Sequence, residues 1–341
     1  MPYSNVRAFH RAQAKIEGVR GTAETTMTRW LTVLQNGGIV ATYSRDREDV
    51  PETLRSFQGD RDTEILAENV TIAIEARLSY EEVPWWFSMA LKGGSGTRTG
   101  TTTGSTPPGY TYTITPSDTA DDLDTFTLKI GDPSVCYQYR RVVVNQMTLR
   151  CNPNQGGEAS WRITLECMAL FVGTSSFDAP SDISRTMVKS LGSAMFLDTA
   201  SAIGTTQLQN LVRNWSITVN NNIEEKRFVD SGVAAHTDFG RGLMRVTGDF
   251  TIEHTADTYF ALHRANTNTK LRFQQIGAQI GVTPTTNYQF RVDVPQAKLD
   301  SPSETFIGNN RCYTYPFLGE KPTGASSITT STVTAAATVT A

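Results

Sequence analysis

Cysteine is scarce in this 341-residue sequence. The four present, Cys136, Cys151, Cys167 and Cys312, form no CxxC and no Cys/His zinc spacing. That excludes a zinc ribbon. Cys167 falls in phase with Trp161, Ile163 and Leu165 and reads as a buried, reduced thiol, which fits assembly in a cytosol. No run of 18 apolar residues occurs, so no membrane-spanning helix is expected. The start of the chain has no apolar signal-peptide region, so export by the usual route is not expected. The glycosylation patterns Asn69-Val70-Thr71 and Asn214-Trp215-Ser216 therefore carry no weight.

Catalytic constellations are missing too. The four histidines, His10, His236, His254 and His263, show no metal spacing, and His254 lies in phase with Phe250 and Ile252 as a sheet residue. Asp121, Asp122 and Asp124 lack the Asp-x-Asp-x-Asp-Gly calcium loop and read as a solvated acidic turn. Lys92-Gly93-Gly94-Ser95-Gly96 lacks the Gly-Lys-Ser/Thr ending of a phosphate loop and opens no helix. No Gly-x-Ser-x-Gly elbow is present. No catalytic residue, metal or cofactor is expected, and the chain does not read as an enzyme. Charge of one sign is also lacking: 31 Lys and Arg stand against 34 Asp and Glu, a net charge of −3. This argues against a nonspecific nucleic-acid binder.

What is present is a β-rich pattern used twice. Tyr137-Gln138-Tyr139-Arg140, followed by Val142–Val144, Gln146 and Leu149, returns as Tyr288-Gln289-Phe290-Arg291, followed by Val292–Val294, Gln296 and Leu299. Upstream lie the strand-like runs Val70–Glu75 and Asp249–Glu253, each leading into an aromatic, helix-like stretch. An internal duplication sets the architecture before residue chemistry is considered. From Ile72 to Tyr137 is 65 residues, and from Ile252 to Tyr288 is 36. The excess of 29 falls almost wholly in the Gly/Thr-rich segment from Gly93 to Asp124, read as a loop insertion in one copy.

The expected organisation is an N-terminal arm at 1–26, with a short helix over Val6–Ile16. A first β domain at 27–173 carries the insertion at 93–124. A linker follows at 174–190, then a second β domain at 191–320 and a Thr/Ala-rich tail at 321–341. In the first domain, Trp30–Leu34 and Ile39–Tyr43 read as a hairpin turned by Asn36-Gly37. The charged stretch 44–66 reads as a long loop. Val70 to Leu78 alternates as a half-buried strand, and Val83–Leu91 reads as a helix with Pro84 in its first turn. Strands follow at 126–130, 138–149 and 161–171. In the second domain the strands are 214–220, 245–254, 270–275, the Tyr288 repeat and 311–317. A polar loop falls at 230–241 and a helix near 257–265. The tail reads as disordered, with docking as a strand on a neighbour as the other reading.

This layout resembles the tail tube proteins of long-tailed bacteriophages. Lys15-Ile16-Glu17-Gly18-Val19-Arg20-Gly21-Thr22-Ala23 leading into Trp30–Leu34 carries the resemblance, as does Leu208–Asn222 with Trp215, Ile217 and Val219. It covers roughly 15–320 as a pattern of strands, helix and loops. It implies a β-sandwich with a flanking helix, completing a closed barrel on oligomerisation, and rings that stack into a hollow tube for DNA. Most such proteins have one domain and form rings of six. A duplicated chain implies a ring of three, or of six if the repeat is spurious. Implied partners are further copies of the chain, tail-tip and terminator proteins, the tape measure protein, and DNA passing without tight binding. The place is the virion tail, after assembly in the host cytoplasm.

On this reading the ring-stacking residues are Arg7 and Arg11 in the arm, Arg45, Arg47, Asp49, Arg55, Asp60 and Arg61 in the charged loop, and His236 and Asp238 in the polar loop. Thr71, Glu75, Arg77, Thr251 and Glu253 are expected to face the lumen, whose wall should be neutral or negative. The insertion at 93–109 is expected outside the ring or reaching the next one. The alternatives are another ring-forming tail component (tip, terminator or injection-system tube) and a carbohydrate-binding or adhesin sandwich. The latter would use a groove at Trp85-Trp86 or at Tyr110 and Tyr112.

Overall fold

The computed structural model of the chain describes residues 11–34, 38–50, 62–91, 100–116, 123–132, 134–154, 158–200, 202–228, 235–255 and 257–336. Over these residues it is mainly β, with two short helices. The first half runs β1 (Arg11–Ile16), β2 (Arg29–Trp30), β3 (Ile39–Val50), β4 (Asp62–Arg77), α1 (Val83–Ala90), β5 (Thr101–Thr102), β6 (Tyr110–Ile114), β7 (Phe126–Gly131), β8 (Cys136–Cys151) and β9 (Arg162–Ser175). The second half runs β10 (Ala194–Asp198), β11 (Val212–Asn220), β12 (Ile223–Lys226), β13 (Asp238–Arg241), β14 (Arg245–Glu253), α2 (Thr258–Arg264), β15 (Thr269–Val282), β16 (Thr285–Leu299), β17 (Ser303–Ile307), β18 (Asn310–Gly319) and β19 (Thr329–Thr334).

The two halves are ordered alike. In the first, neighbours pair as β3-β4-β9-β8. In the second they pair as β11-β14-β18-β16. β8 then pairs with β11, which joins the two sets into one antiparallel sheet. A single row of partnered residues crosses it: Ile39, Ile74, Leu165, Met147, Val219, Val246, Gly319 and Ala297. All but Gly319 are buried apolar side chains on one face, as period-2 alternation requires. A second layer repeats as well. β1 pairs with β7 and β7 with β8, as β10 pairs with β15 and β15 with β16. The two Tyr-Gln-aromatic-Arg strings lie at matching places, in β8 and β16.

One hydrophobic core runs through both halves. Aromatic rings bridge them: Trp161 stands 4.6 Å from Trp215 and 5.2 Å from Phe290, and Trp215 stands 4.7 Å from Phe273, all centroid to centroid. α1 enters this core whole, with all eight residues buried, among them Trp85, Trp86 and Phe87. Such rings dominate core energetics through their area. The stretch expected as a linker packs on the first half. Lys129, 3 % exposed, donates to the carbonyls of Thr25 and Ser176 and to Asp178 at 2.8 Å. The backbone of Val188 bonds both Leu78 and Trp161.

Several sequence expectations fail here for identifiable reasons. Residues 11–16 form the strand β1, where the expectation was an arm ending in a helix. Ala12, Ala14 and Ile16 face the core, and the buried Gln13 exchanges hydrogen bonds with the backbone of Asp178. The hairpin expected over 30–43 does not form: β2 pairs with β1, and β3 pairs with β4. Asn36 and Gly37 lie outside the described residues. The charged stretch expected as a loop over 44–66 is strand at 44–50 and 62–66, because β3 and β4 go on pairing with each other past the last β4–β9 pair, Val70 with Ala169.

The described part of the tail, to Ala336, is also ordered. β19 lies between β16 and β6, so the insertion and the tail pair with each other. Tyr112 donates from its hydroxyl to the Ala336 carbonyl at 2.8 Å. Thr330, Thr332 and Thr334 are buried in this ladder. β6, from the later part of the insertion, therefore roofs α1 together with β19, while Thr101 and Thr102 of β5 stay exposed. A one-residue excess in β8 sits at Arg141, at φ 50. Glu17 holds that bulge, accepting from the Arg141 amide, the Gly21 amide and the Thr125 hydroxyl, each at 2.6 Å.

Candidate assembly surface

The face of the sheet turned away from the core is polar and lined by threonine and paired charges. Thr71, Glu75 and Arg77 lie together on one side of β4, with Glu75 half-buried. Glu75 accepts from Arg150 at 2.5 Å and Arg162 at 3.0 Å, and both arginines also reach Glu158. Across the junction of the halves, the Thr148 and Thr218 hydroxyls are 3.0 Å apart. Glu253 pairs with Arg213 at 2.5 Å, and Ser216 donates to Asp249. Thr251 is on the same side but only 3 % exposed, its hydroxyl 2.8 Å from that of Thr314. It does not open to solvent as expected. Arg150 and Arg162 on this face are thus matched by Glu75 and Glu158, and Arg213 by Glu253. Exposed pairs of this kind add little stability. Their consequence is a polar face on which the paired charges cancel.

The stacking residues named from sequence do not form one cluster. Arg7, Arg55, Asp60 and Arg61 lie outside the described residues. Arg11 opens β1, with its guanidinium 5.7 Å from the Trp30 ring centre. Arg45 lies on the projecting hairpin, bonded to the Tyr43 hydroxyl at 2.7 Å and to Glu68 at 2.8 Å. The bond to the Tyr43 hydroxyl, and then the Glu68 carboxylate, hold the Arg45 pKa up. Arg47 and Asp49 stand opposite Ile65 and Thr63 in the same ladder.

His236 corrects its expectation most clearly. It is 2 % exposed, with its ring 4.4 Å from that of Phe239, and so offers no stacking contact. Burial, then the nearby Arg227 and Arg141, push its pKa down to about 4. It is neutral near pH 7, so its 3.5 Å approach to Glu225 is not an ion pair. Asp238 pairs with Arg20 at 3.3 Å, and both side chains stay partly open to solvent.

His236 and Asp238 belong to a clasp that sequence reading missed. The β12–β13 hairpin of the second half reaches over the first. Ile223 and Phe239 pack on Leu123 and Val143. Arg241 donates to the Leu123 carbonyl at 3.2 Å, and Arg141 donates to the Thr237 carbonyl. Asn221 seals the junction, donating from its side chain to the carbonyls of Ala90 at 2.7 Å and Val144 at 2.9 Å. Only the Asn-rich turn at 220–222 signalled this in the sequence.

Among the described residues, chemical groups suited to catalysis do not converge. Among the described residues no group of three or more His, Cys, Asp or Glu could hold a metal ion. All four cysteines are free and buried. Burial pushes the Cys151 thiol up to about 11, and raises that of Cys167 as well. Neither is a ready nucleophile. Trp85 and Trp86 are fully enclosed and Tyr112 is 1 % exposed, so the aromatic groove of the carbohydrate-binding alternative is not formed there.

A mainly β chain with a polar sheet face, a core on the other face and, among the described residues, a β3 edge paired on one side only has the build of a structural protein. The profile of the phage tail tube protein family matches residues 11–310. The chain belongs to that family, whose members are components of the virion tail. No curated protein matches the chain.

Proposed function

We propose that this protein is the tube subunit of a long phage tail: it polymerises into stacked rings around a channel through which DNA passes to the host, and it has no catalytic role. The observation that carries this reading is the one sheet made of two four-strand sets in the same order. Each set corresponds to one single-domain subunit, so a ring of three copies offers six similar positions. Three copies would close about 24 strands around the channel. Barrels of roughly 16–18 strands already leave an aqueous lumen. The polar face carrying Thr71, Glu75, Arg77 and Glu253 then lines the channel. Its balanced charge suits a wall that transiting DNA must not grip, since a basic wall would bind phosphate through counterion release. Assembly takes place in the host cytoplasm around the tape measure protein, between tail-tip and terminator proteins.

Negative-stain electron microscopy of the concentrated protein tests this. Hollow tubes with a regular axial repeat and threefold averaged rings are expected. Sixfold rings would keep the tube and remove the duplication. Single rings that never stack would point to a tip or terminator component. Monomers at every concentration, even with tail tips added, would overturn the reading.

A further inference from the structure

The two ends of the shared row are not alike. Met147 of β8 has Leu165 on one side and Val219 of β11 on the other. Ala297 holds the matching place in β16, with Gly319 on one side. On its other side stands Thr269, the first residue of β15. Thr269 is fully buried, and its hydroxyl donates to the Ala297 carbonyl at 3.0 Å. The β15–β16 ladder is irregular here: it breaks register between Thr269 and Leu271, so the Thr269 pair is isolated from the regular ladder. The matching side of Met147 carries a six-residue ladder from Trp215 to Asn220. At the opposite end of the row, Ile39 of β3 pairs with β4 alone among the described residues, and Val40 beside it is 48 % exposed.

We propose that Thr269 is a placeholder for the β3 edge of a second copy of this chain. The internal β8–β11 junction gives the register. Ile39 occupies the place of Val219, and Ala297 that of Met147. Ile39 of one copy therefore pairs with Ala297 of the next, and Val40 with Gln296, after the Thr269 pair has opened. Until then the cap leaves one edge of the free subunit blunted, as proteins commonly protect strand edges against untimely pairing. The junction between copies also lacks the side-chain seal of the internal one. Asn221, which bonds Val144, is matched by Ala41. Asn145, whose side chain accepts from the Ile223 amide at 2.8 Å, is matched by Pro295. Pro295 has no amide hydrogen to give a ladder and suits an edge. Ring junctions thus alternate between a sealed one inside each chain and an unsealed one between chains. This inference rests on the tube reading.

The test is a reversible lock: full-length protein with Thr269→Cys and Ala297→Cys, oxidised and then reduced. The oxidised form is expected to stay unassembled and the reduced form to make tubes. Oxidised protein that polymerises as readily as wild type would overturn the placeholder while leaving the tube reading intact. A second variant, Val40→Cys with Gln296→Cys, guards against a lock that fails to fold. In tubes it should cross-link into a closed trimer on a non-reducing gel. Thr42→Cys with Lys298→Cys, out of register by four, should not. Tubes that cross-link equally in both registers, or in neither, would refute the proposed pairing. Wild-type protein that never assembles would instead remove the tube reading.

Discussion

The two helices follow equivalent strands, β4 and β14, yet meet opposite fates. Every residue of α1 is buried, whereas α2 has no fully buried residue and leaves Phe260 42 % exposed. Their sequences show part of the reason. Val83-Pro84-Trp85-Trp86-Phe87 is apolar all round and must be enclosed, while Thr258-Tyr259-Phe260-Ala261-Leu262-His263-Arg264 has a polar side. The rest comes from far along the chain. α1 is enclosed because β6, from the insertion, and β19, from the tail, pair over it. No described segment does the same for α2. Equivalent positions in a repeated fold are thus differentiated by what is added to them, while the shared strand order is left alone.

Three experiments would break or sharpen this contrast. The largest effect is expected from removing residues 327–341. β6 and the 289–293 stretch of β16 would each lose a strand partner, and α1 would be uncovered. Strong binding of a hydrophobic dye and loss of protease resistance around 100–116 are expected. A truncated protein as protected as the full chain would mean that β19 does not close the first half.

Next comes a matched pair of truncations in the two helices. Trp86→Ala should cost about 3–5 kcal/mol, as large buried aromatics do. Phe260→Ala should stay within about 0.5 kcal/mol, as exposed substitutions usually do. Denaturant melts read both, and equal losses would erase the distinction.

The smallest effect concerns the clasp by which the second half holds the first. His236 is neutral when folded, with a pKa of about 4 against 6.5 in the free side chain. Between those values the unfolded chain binds a proton that the folded chain does not. Stability should therefore be complete above pH 6.5, fall as the pH drops, and lose the whole His236 contribution near pH 4. His236→Gln should flatten that part of a stability profile measured from pH 7 to 5. An unchanged slope would place the acid sensitivity elsewhere.

Much of the sheet was legible in the sequence. β4, β8, β9, β11, β14, β16 and β18 alternate strongly enough to be found, and α1 was placed to within a residue. What escaped shares a physical cause: the decisive partner is distant. β1 is Arg-Ala-Gln-Ala-Lys-Ile, too poor in apolar side chains to read as a strand until β7 and Asp178 supply its ladder and the bonds of Gln13. The tail is Thr and Ser, which resembles a solvated segment until the backbone of β6 and β16 satisfies it. The charged β3–β4 projection hides its pairing because neither side of it alternates in polarity. Of the residues expected on the lumen, the β4 set shares one face as alternation requires. His236 was misplaced because a polar residue within a polar stretch gives no sign of being folded inward.

The position of β19 has a consequence for the order of synthesis. Ile114 is made 216 residues before Thr330, which packs on it. As the chain leaves the ribosome, the first half can form most of its strands, yet α1 lacks the β19 part of its cover through the making of the whole second half. The fold is completed from its far end, so a prematurely stopped chain leaves β6 without its β19 partner and its most apolar helix only partly covered.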